Sequence, residues 1–317
     1  MNFTSLKNIV LFIPSVFIYW YYTKKFKNTD FFAYKTLANP KFQCPKFFVS
    51  VCLYGNYKAI AKLRNKRFHF IREYVEHGMC YYTNIESAEQ MGYINRPFIK
   101  TVYTFSEQRK KVLEAYLAEK NLTRTIIPVG PYILGSTNFL SEEKRKNLKK
   151  TLKKTLVVFP SHSIDYIEAE FDSDTLLNEI EKLKPQFNTI LICVYWLDIL
   201  QNKHKAYEDA GYTIVSAGNR SDPYFLPRLK DIIELSDCTM SNNVGTHIGY
   251  SICLHRPHYF FSQPLTYTIH KNPFMDEGVK NIENSTINQL FHTHFGKFKE
   301  EITEQQINLI QEFWGKW

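Results

Sequence analysis

At 317 residues and 37.5 kDa the chain is long enough for two domains of ordinary size. With 44% hydrophobic and 22% charged residues it is not a disordered chain, and six scattered cysteines without a CxxC pair argue against a disulfide scaffold or a zinc site. The net charge of +9 suits an anionic partner, which can be nucleic acid, anionic lipid or a phosphorylated substrate.

Ile9–Tyr22 (IVLFIPSVFIYWYY) is strongly apolar and is followed by Lys24, Lys25 and Lys27. It falls short of the roughly 20 apolar residues a membrane span needs. No small-residue cleavage site follows it, which speaks against a secretory signal. Its Trp/Tyr cluster beside lysines suits a membrane interface, and a core helix or strand interrupted at Pro14 is the alternative.

From Lys46 the pattern alternates. Phe47–Tyr54 reads as a buried strand, Gly55-Asn56 as a turn, Tyr57–Arg67 as a helix and Phe68–Val75 as a second strand ending at Glu76-His77-Gly78. Phe98–Ser106 is a further strand. Glu107–Lys120 is a helix with Ser106 as its N-cap, and Thr125–Val129 is a strand closed by Gly130-Pro131. Strand–helix–strand alternation predicts a parallel sheet.

Ser141–Lys154 is a basic helical stretch at the boundary between two halves. A solvated face is its ordinary reading, and contact with anionic lipid the sharper one. The alternation then restarts: strand Leu156–Phe159 running into Pro160–Ser163, helix Asp174–Lys184, strand Thr189–Val194, helix Ile199–Ala210, strand Tyr212–Ser216, helix Pro227–Ser236. Thr303–Phe313 closes the chain as an amphipathic helix. Cys44, Cys52, Cys80, Cys193, Cys238 and Cys253 read as reduced thiols of a cytoplasmic protein, four of them in apolar surroundings. The expected organisation is residues 1–140, residues 141–302 and a C-terminal helix, 303–317, able to pack back on the first domain.

Ser241–Tyr250 (SNNVGTHIGY) follows one apolar run and precedes another. Small hydroxyl and amide residues at a strand-to-helix turn offer backbone N–H groups and the positive end of a helix dipole to a phosphate. An ordinary capped helix start is the alternative. No GxGxxG follows the first strand of either half, which argues against a nicotinamide or flavin enzyme. Lysines and arginines are spread along the chain without an RNP-like or helix-turn-helix pattern, so a nucleic-acid role is not favoured.

EHG at 76–78, SHS at 161–163 and SNNVGT at 241–246 all fall at strand ends, where open α/β sheets bind ligands. This layout resembles the GT-B glycosyltransferases, two doubly wound Rossmann-like domains facing across a cleft. It is similar in particular to the bacterial capsule and lipopolysaccharide enzymes that use CMP-activated sugars (sialyl- and Kdo-type transferases) and to the related CDP-glycerol and CDP-ribitol phosphotransferases. Ser163 stands where those families have proline after the histidine, and asparagines stand at 242 and 243 in place of hydroxyls.

The resemblance implies a metal-independent, cofactor-free transfer from a nucleotide-sugar donor to a glycan or glycolipid acceptor, at the cytoplasmic face of a membrane. A polyol phosphotransferase or an inactive glycan-binding relative are its alternatives. Glycosyl transfer needs a base for the acceptor proton, here Glu76 or, for polyol phosphate, His77. His162 is the candidate acid for the leaving phosphate. Gly78, Ser161, Ser163, Ser241, Asn242, Asn243, Gly245, Thr246 and His247 are the candidate donor-binding residues. Arg220 can reach a phosphate or clamp Asp222. The acidic run Asp165, Glu168, Glu170, Asp172, Asp174 is expected to be a solvated loop, with no metal bound. Glu76→Ala and His162→Ala are each expected to abolish transfer and leave the fold intact.

Overall fold

The computed structural model describes residues 17–39, 53–69, 72–76, 78–79, 94–164, 166–270, 278–281 and 286–317. Residues 9–16 of the apolar segment, 47–52 of the first expected strand, His77, Asp165, Cys44, Cys52 and Cys80 lie outside the described residues.

The first half is built on β1 (Glu73–Val75), β2 (Thr101–Thr104) and β3 (Thr125–Pro128), which pair in parallel in that order. The helix Glu107–Glu119 crosses from β2 to β3. It starts where the sequence supplies a cap: the Ser106 hydroxyl accepts from the Arg109 amide at 3.2 Å. Its Leu113, Tyr116 and Leu117 cover Val102 and Ile126 of the sheet. Leu53 and Tyr54 are not the end of a strand. Leu53–Gly55 is a turn of 3-10 helix in which Tyr54 takes φ +59°, ahead of the helix Asn56–Arg64.

In the second half β4 (Thr155–Phe159) is followed by a short β5 (Ile167–Glu170). Then come β6 (Thr189–Cys193), β7 (Thr213–Val215), β8 (Cys238–Ser241) and β9 (His258–Phe260). Five of these form a parallel sheet ordered β7-β6-β4-β8-β9. Counted within this half the order is 3-2-1-4-5, the doubly wound arrangement, and it reverses between β4 and β8. All of β4 is buried, as expected for a central parallel strand covered on both faces. The α/β class and the two parallel, helix-covered sheets therefore match the expectation.

Several local expectations are corrected. The acidic stretch is not a loop: β5 pairs antiparallel with β10 (Thr266–Ile269), which pairs with β11 (Gly278–Asn281). Two of its acids have local partners. Glu168 meets Lys203 at 3.2 Å and His270 at 3.5 Å, and Asp172 caps the helix Ser173–Leu183. The single helix expected over 199–210 is two, Trp196–Leu200 and Lys205–Asp209, because Asn202 adopts φ +62° between them. The helix Thr286–Phe295 has no counterpart in the sequence reading.

The chain ends cross over. Residues 17–39 touch both halves: Tyr19 is hydrogen-bonded to Tyr57 of the first, and the segment also packs on the second. Arg228, fully buried, donates to the carbonyls of Phe26 and Thr29 at 2.9 and 2.8 Å and to Asp222 at 2.6 Å. The Ser216 amide donates to the Phe31 carbonyl at 2.9 Å. Conversely the helix Glu304–Trp314 reaches the first half, where Gln108 donates to Glu312 at 3.2 Å. Trp314 occupies the space beside Gly249: a Cβ there would lie 2.2 Å from the indole, so only glycine admits this helix contact.

The connector is anchored by Asp231, which is fully buried and accepts from the amides of Phe139 and Leu140 at 3.0 and 2.7 Å. On the basic helix Glu142–Leu152, Arg145 donates to Glu234 at 2.9 Å and Lys149 to the Leu235 carbonyl at 2.9 Å, so part of its charge is used within the fold. No helix among the described residues is long and apolar enough to cross a membrane.

Candidate active site

Parallel strands deliver their carboxyl ends to one edge, and here four of them open on a shared cavity of about 280 Å³. Phe159–His162 come from the end of β4, Cys193–Tyr195 from β6, Ser216 and Ala217 from β7, and Asn243 with Gly245–His247 from β8. The first half contributes Tyr54, Asn56 and Gly78. The loops after β4 and β8 flank the point where strand order reverses, the usual ligand position of a doubly wound sheet.

The turn after β8 leads into the helix Thr246–Cys253, whose start has no side-chain cap. Thr246 and His247 of its first turn line the cavity, which places the positive end of the helix dipole beside it. The Thr246 hydroxyl accepts from the Met79 amide at 3.0 Å, tying the loop of the first half to this helix. His247 folds back over the turn. Its ring stacks on Phe159 at 4.9 Å and lies where a Cβ on Gly245 would be, 2.6 Å from the nearest ring atom. Gly245 is thus required by close approach. Nε2 of His247 is buried without a hydrogen-bond partner. Burial, and secondarily the charge of His162, push the His247 pKa down to about 3, so the ring is neutral at physiological pH.

His162 stands exposed at the rim, its ring stacked on Tyr195 at 4.4 Å and its Nδ1 3.3 Å from the Ser163 carbonyl. Asp198 lies behind this loop, buried, accepting from the Ser163 amide at 3.2 Å. Burial raises the Asp198 carboxyl pKa, while the charge of His162 and the bonds from Ser163 oppose the rise. The Tyr195 hydroxyl is 3.1 Å from that of Tyr54, an interaction made across the two halves.

The expected site residues separate into two groups. Gly78, Ser161, His162, Asn243, Gly245, Thr246 and His247 line the cavity. Ser163, Ser241 and Asn242 are buried behind it and hydrogen-bonded there, except at Asn242 Nδ2, which is buried without a partner among the described residues. The Ser163 hydroxyl accepts from Lys203 at 3.1 Å. That of Ser241 bonds the Asn243 carbonyl at 2.9 Å and His258 Nε2 at 3.0 Å. Asn242 Oδ1 accepts from the Ser161 amide at 2.6 Å. These three fix the shape of the loops.

Glu76 is also behind the wall. It is 1% exposed, with Oε1 accepting from Arg109 Nε at 3.0 Å and Oε2 from the Thr104 hydroxyl. Arg228 pairs with Asp222 at 2.6 Å, and the Arg220 carbonyl accepts from the Tyr54 amide at 2.7 Å.

Tyr54, Tyr195, Asp198, His258 and Tyr267 were not anticipated. Tyr195 and Asp198 follow β6, so the strand-end rule applied to Val194–Asp198 would have found them. Tyr267 arrives from the unforeseen antiparallel sheet, its hydroxyl 3.0 Å from Ser161 Oγ and 2.9 Å from Asn243 Nδ2. No carboxylate is among the described residues lining the cavity, and no group of three or more His, Cys, Asp or Glu suited to a metal occurs among the described residues.

Two parallel α/β halves opening on one cleft define the layout. The sequence matches no protein-family model and no curated protein. Among solved structures the chain is similar to the wall teichoic acid polymerase TagF at 15% identity and TM-score 0.35, over 60% of this chain and 48% of that one, so it spans about half of that polymerase. It is similar to Anabaena HepE in complex with UDP at 14% identity and TM-score 0.36, over 81% and 71% of the two chains. With the UDP-glucose complex of HepE the values are 15% and 0.35, over 64% and 55%.

Proposed function

We propose that this chain is a transferase that takes a sugar from a nucleotide-activated donor, CMP-linked in the first instance, and places it on a surface-glycan acceptor. The observation carrying the reading is the uncapped Gly245–His247 turn at the strand-order reversal, opening on a cavity that Gly78 of the other half completes. A nucleotide phosphate suits that place. The helix start and turn amides offer N–H donors, Ser161 and Asn243 offer polar side chains, and no described carboxylate on the wall repels it.

In the transfer, the bond from the anomeric carbon to the donor phosphate oxygen breaks as the acceptor oxygen bonds to that carbon. The acceptor hydroxyl loses its proton to a base, and the phosphate departs with added negative charge. His247, neutral with Nε2 unpaired, is assigned a hydrogen bond to that phosphate. His162, with Asp198 beneath its loop, is assigned the proton or charge delivered to the leaving oxygen. Glu76 is assigned the positioning of the 76–79 loop through Arg109 and Thr104. His77, next to the cavity-lining Gly78, becomes the candidate base.

The test is thermal stabilisation by CMP, CDP, UDP and GDP, followed by mass analysis of product from the preferred donor class. A nucleotide preference abolished by His247→Ala supports the reading, and no preference for any of the four refutes it. Transfer of a polyol phosphate from a CDP-linked donor is the second reading. It is favoured by a described wall whose ionisable groups near neutrality are histidines and include no carboxylate. Its product gains phosphorus; a glycoside does not.

A further inference from the structure

Helix 17–25 is two-faced in a way the cavity does not explain. Its inner side is finished, with Tyr22 and Phe26 fully buried around Leu37. Phe17 and Trp20 on the outer side are 65% and 56% exposed. Positions 17, 20 and 24 recur at helical spacing, so Lys24 continues the stripe that Phe17 and Trp20 begin, and Lys27 follows in the turn after the helix. Lys24 Nζ lies 3.9 Å over the Trp20 ring, and Lys25 Nζ lies 4.9 Å over Phe26. Large aromatics left in water beside three exposed lysines indicate a surface completed by something else.

We infer that this stripe seats on an anionic lipid surface, with Phe17 and Trp20 entering the headgroup–acyl boundary and Lys24, Lys25 and Lys27 meeting anionic headgroups. Charge complementarity selects this occupant. A second copy on a two-fold axis would set the lysines of one stripe against those of the other, whereas an anionic leaflet offers them opposite charge. Tryptophan suits that depth, being apolar over most of its surface with one polar N–H.

The stripe is also connected to the cavity. Tyr19 of this helix is hydrogen-bonded to Tyr57, and the preceding Asn56 lines the cavity. A docked helix therefore sits next to the first-half wall of the site. The inference concerns the surface alone and does not depend on the reaction proposed above.

The experiment is co-sedimentation of the full chain with phosphatidylcholine vesicles with and without phosphatidylglycerol, together with Trp20 emission measured as the difference from Trp20→Tyr. Binding should require phosphatidylglycerol and weaken with salt, and the Trp20 emission should shift to the blue. Phe17→Ser/Trp20→Ser should lower partitioning at least about tenfold, and each of Lys24→Gln, Lys25→Gln and Lys27→Gln about fivefold. Circular dichroism and nucleotide-induced stabilisation should be unchanged in all variants. Undiminished binding by the double variant, equal binding to phosphatidylcholine alone, or a loss of self-association in place of vesicle binding would each overturn it.

Discussion

The hydroxyls of Tyr54 and Tyr195 lie 3.1 Å apart, one from each half of the molecule, and both rings line the same cavity. Tyr54 reaches this position from a backbone with φ +59°, a conformation that costs a non-glycine residue of order 1–3 kcal/mol and so must be held by its surroundings. The Arg220 carbonyl, which accepts from the Tyr54 amide at 2.7 Å, is part of that hold.

A double-mutant cycle tests the contact. Tyr54→Phe and Tyr195→Phe should each lower stability modestly, and the pair should show a coupling of about 0.5–1.5 kcal/mol. Additivity in chemical denaturation would mean that the two hydroxyls do not act on each other in solution.

His247→Ala should weaken binding of the preferred nucleotide about 10–100-fold, the loss of a hydrogen bond to a charged group. Gly245→Ala should have a similar effect without touching any polar atom, because its Cβ displaces the imidazole that now lies 2.6 Å away. Isothermal titration of both variants decides the matter. A Gly245→Ala protein that binds normally would place His247 outside the binding determinants.

Stability should fall on mild acidification. Folding depresses the pKa of His247 from 6.5 to about 3, and that of His258, enclosed beside Thr239 and Ser241, well below 6.5. A depressed imidazole contributes fully above its unfolded pKa and loses that contribution as pH falls toward the folded value. His247 should therefore remove about 1.4 kcal/mol per pH unit between its unfolded value of 6.5 and its folded value of about 3, and His258 acts in the same direction. Urea melts between pH 7 and pH 4 measure the slope. His247→Gln should flatten it, and an unchanged slope in that variant would assign the effect elsewhere.

Glu76→Ala should destabilise the protein by about 3–5 kcal/mol, since it strands the buried Arg109 guanidinium now 2.9 Å from the carboxylate. Any loss of transfer should then follow the loss of folded protein, and Glu76→Gln should retain partial activity. Loss of activity at unchanged melting temperature would restore Glu76 as the base.

The sequence was most legible where burial and local chemistry agree. The apolar LVVF run at 156–159, the Ser106 cap and the helical spacing of 141–154 are local signals, and the structure has the strand and both helices at those places. Strand-end reasoning pointed to the 160–163 and 241–247 loops, and both reach the cavity, because chain direction alone sets which end of a parallel strand opens on the cleft. It could not tell which side of each loop faces inward. Ser161 and Ser163 are two residues apart and similar in type, yet one lines the cavity and the other turns toward Lys203. The burial of Glu76 was illegible for a related reason: its partner Arg109 is 33 residues away, on the helix that follows β2. Tyr267 was out of reach because antiparallel pairing with β5 is a long-range event with no local signature.

The crossing of the chain ends bears on how the molecule comes apart. Residues 17–39 are held by Arg228 on the helix Phe225–Leu235 beside the second sheet, and the terminal helix touches Gln108 beside the first. Each sheet is thus finished by sequence from the opposite extremity, in the manner of two hands clasping each other's wrists. A chain nicked within 136–141 should stay together as a non-covalent pair, and neither piece should be soluble when expressed alone.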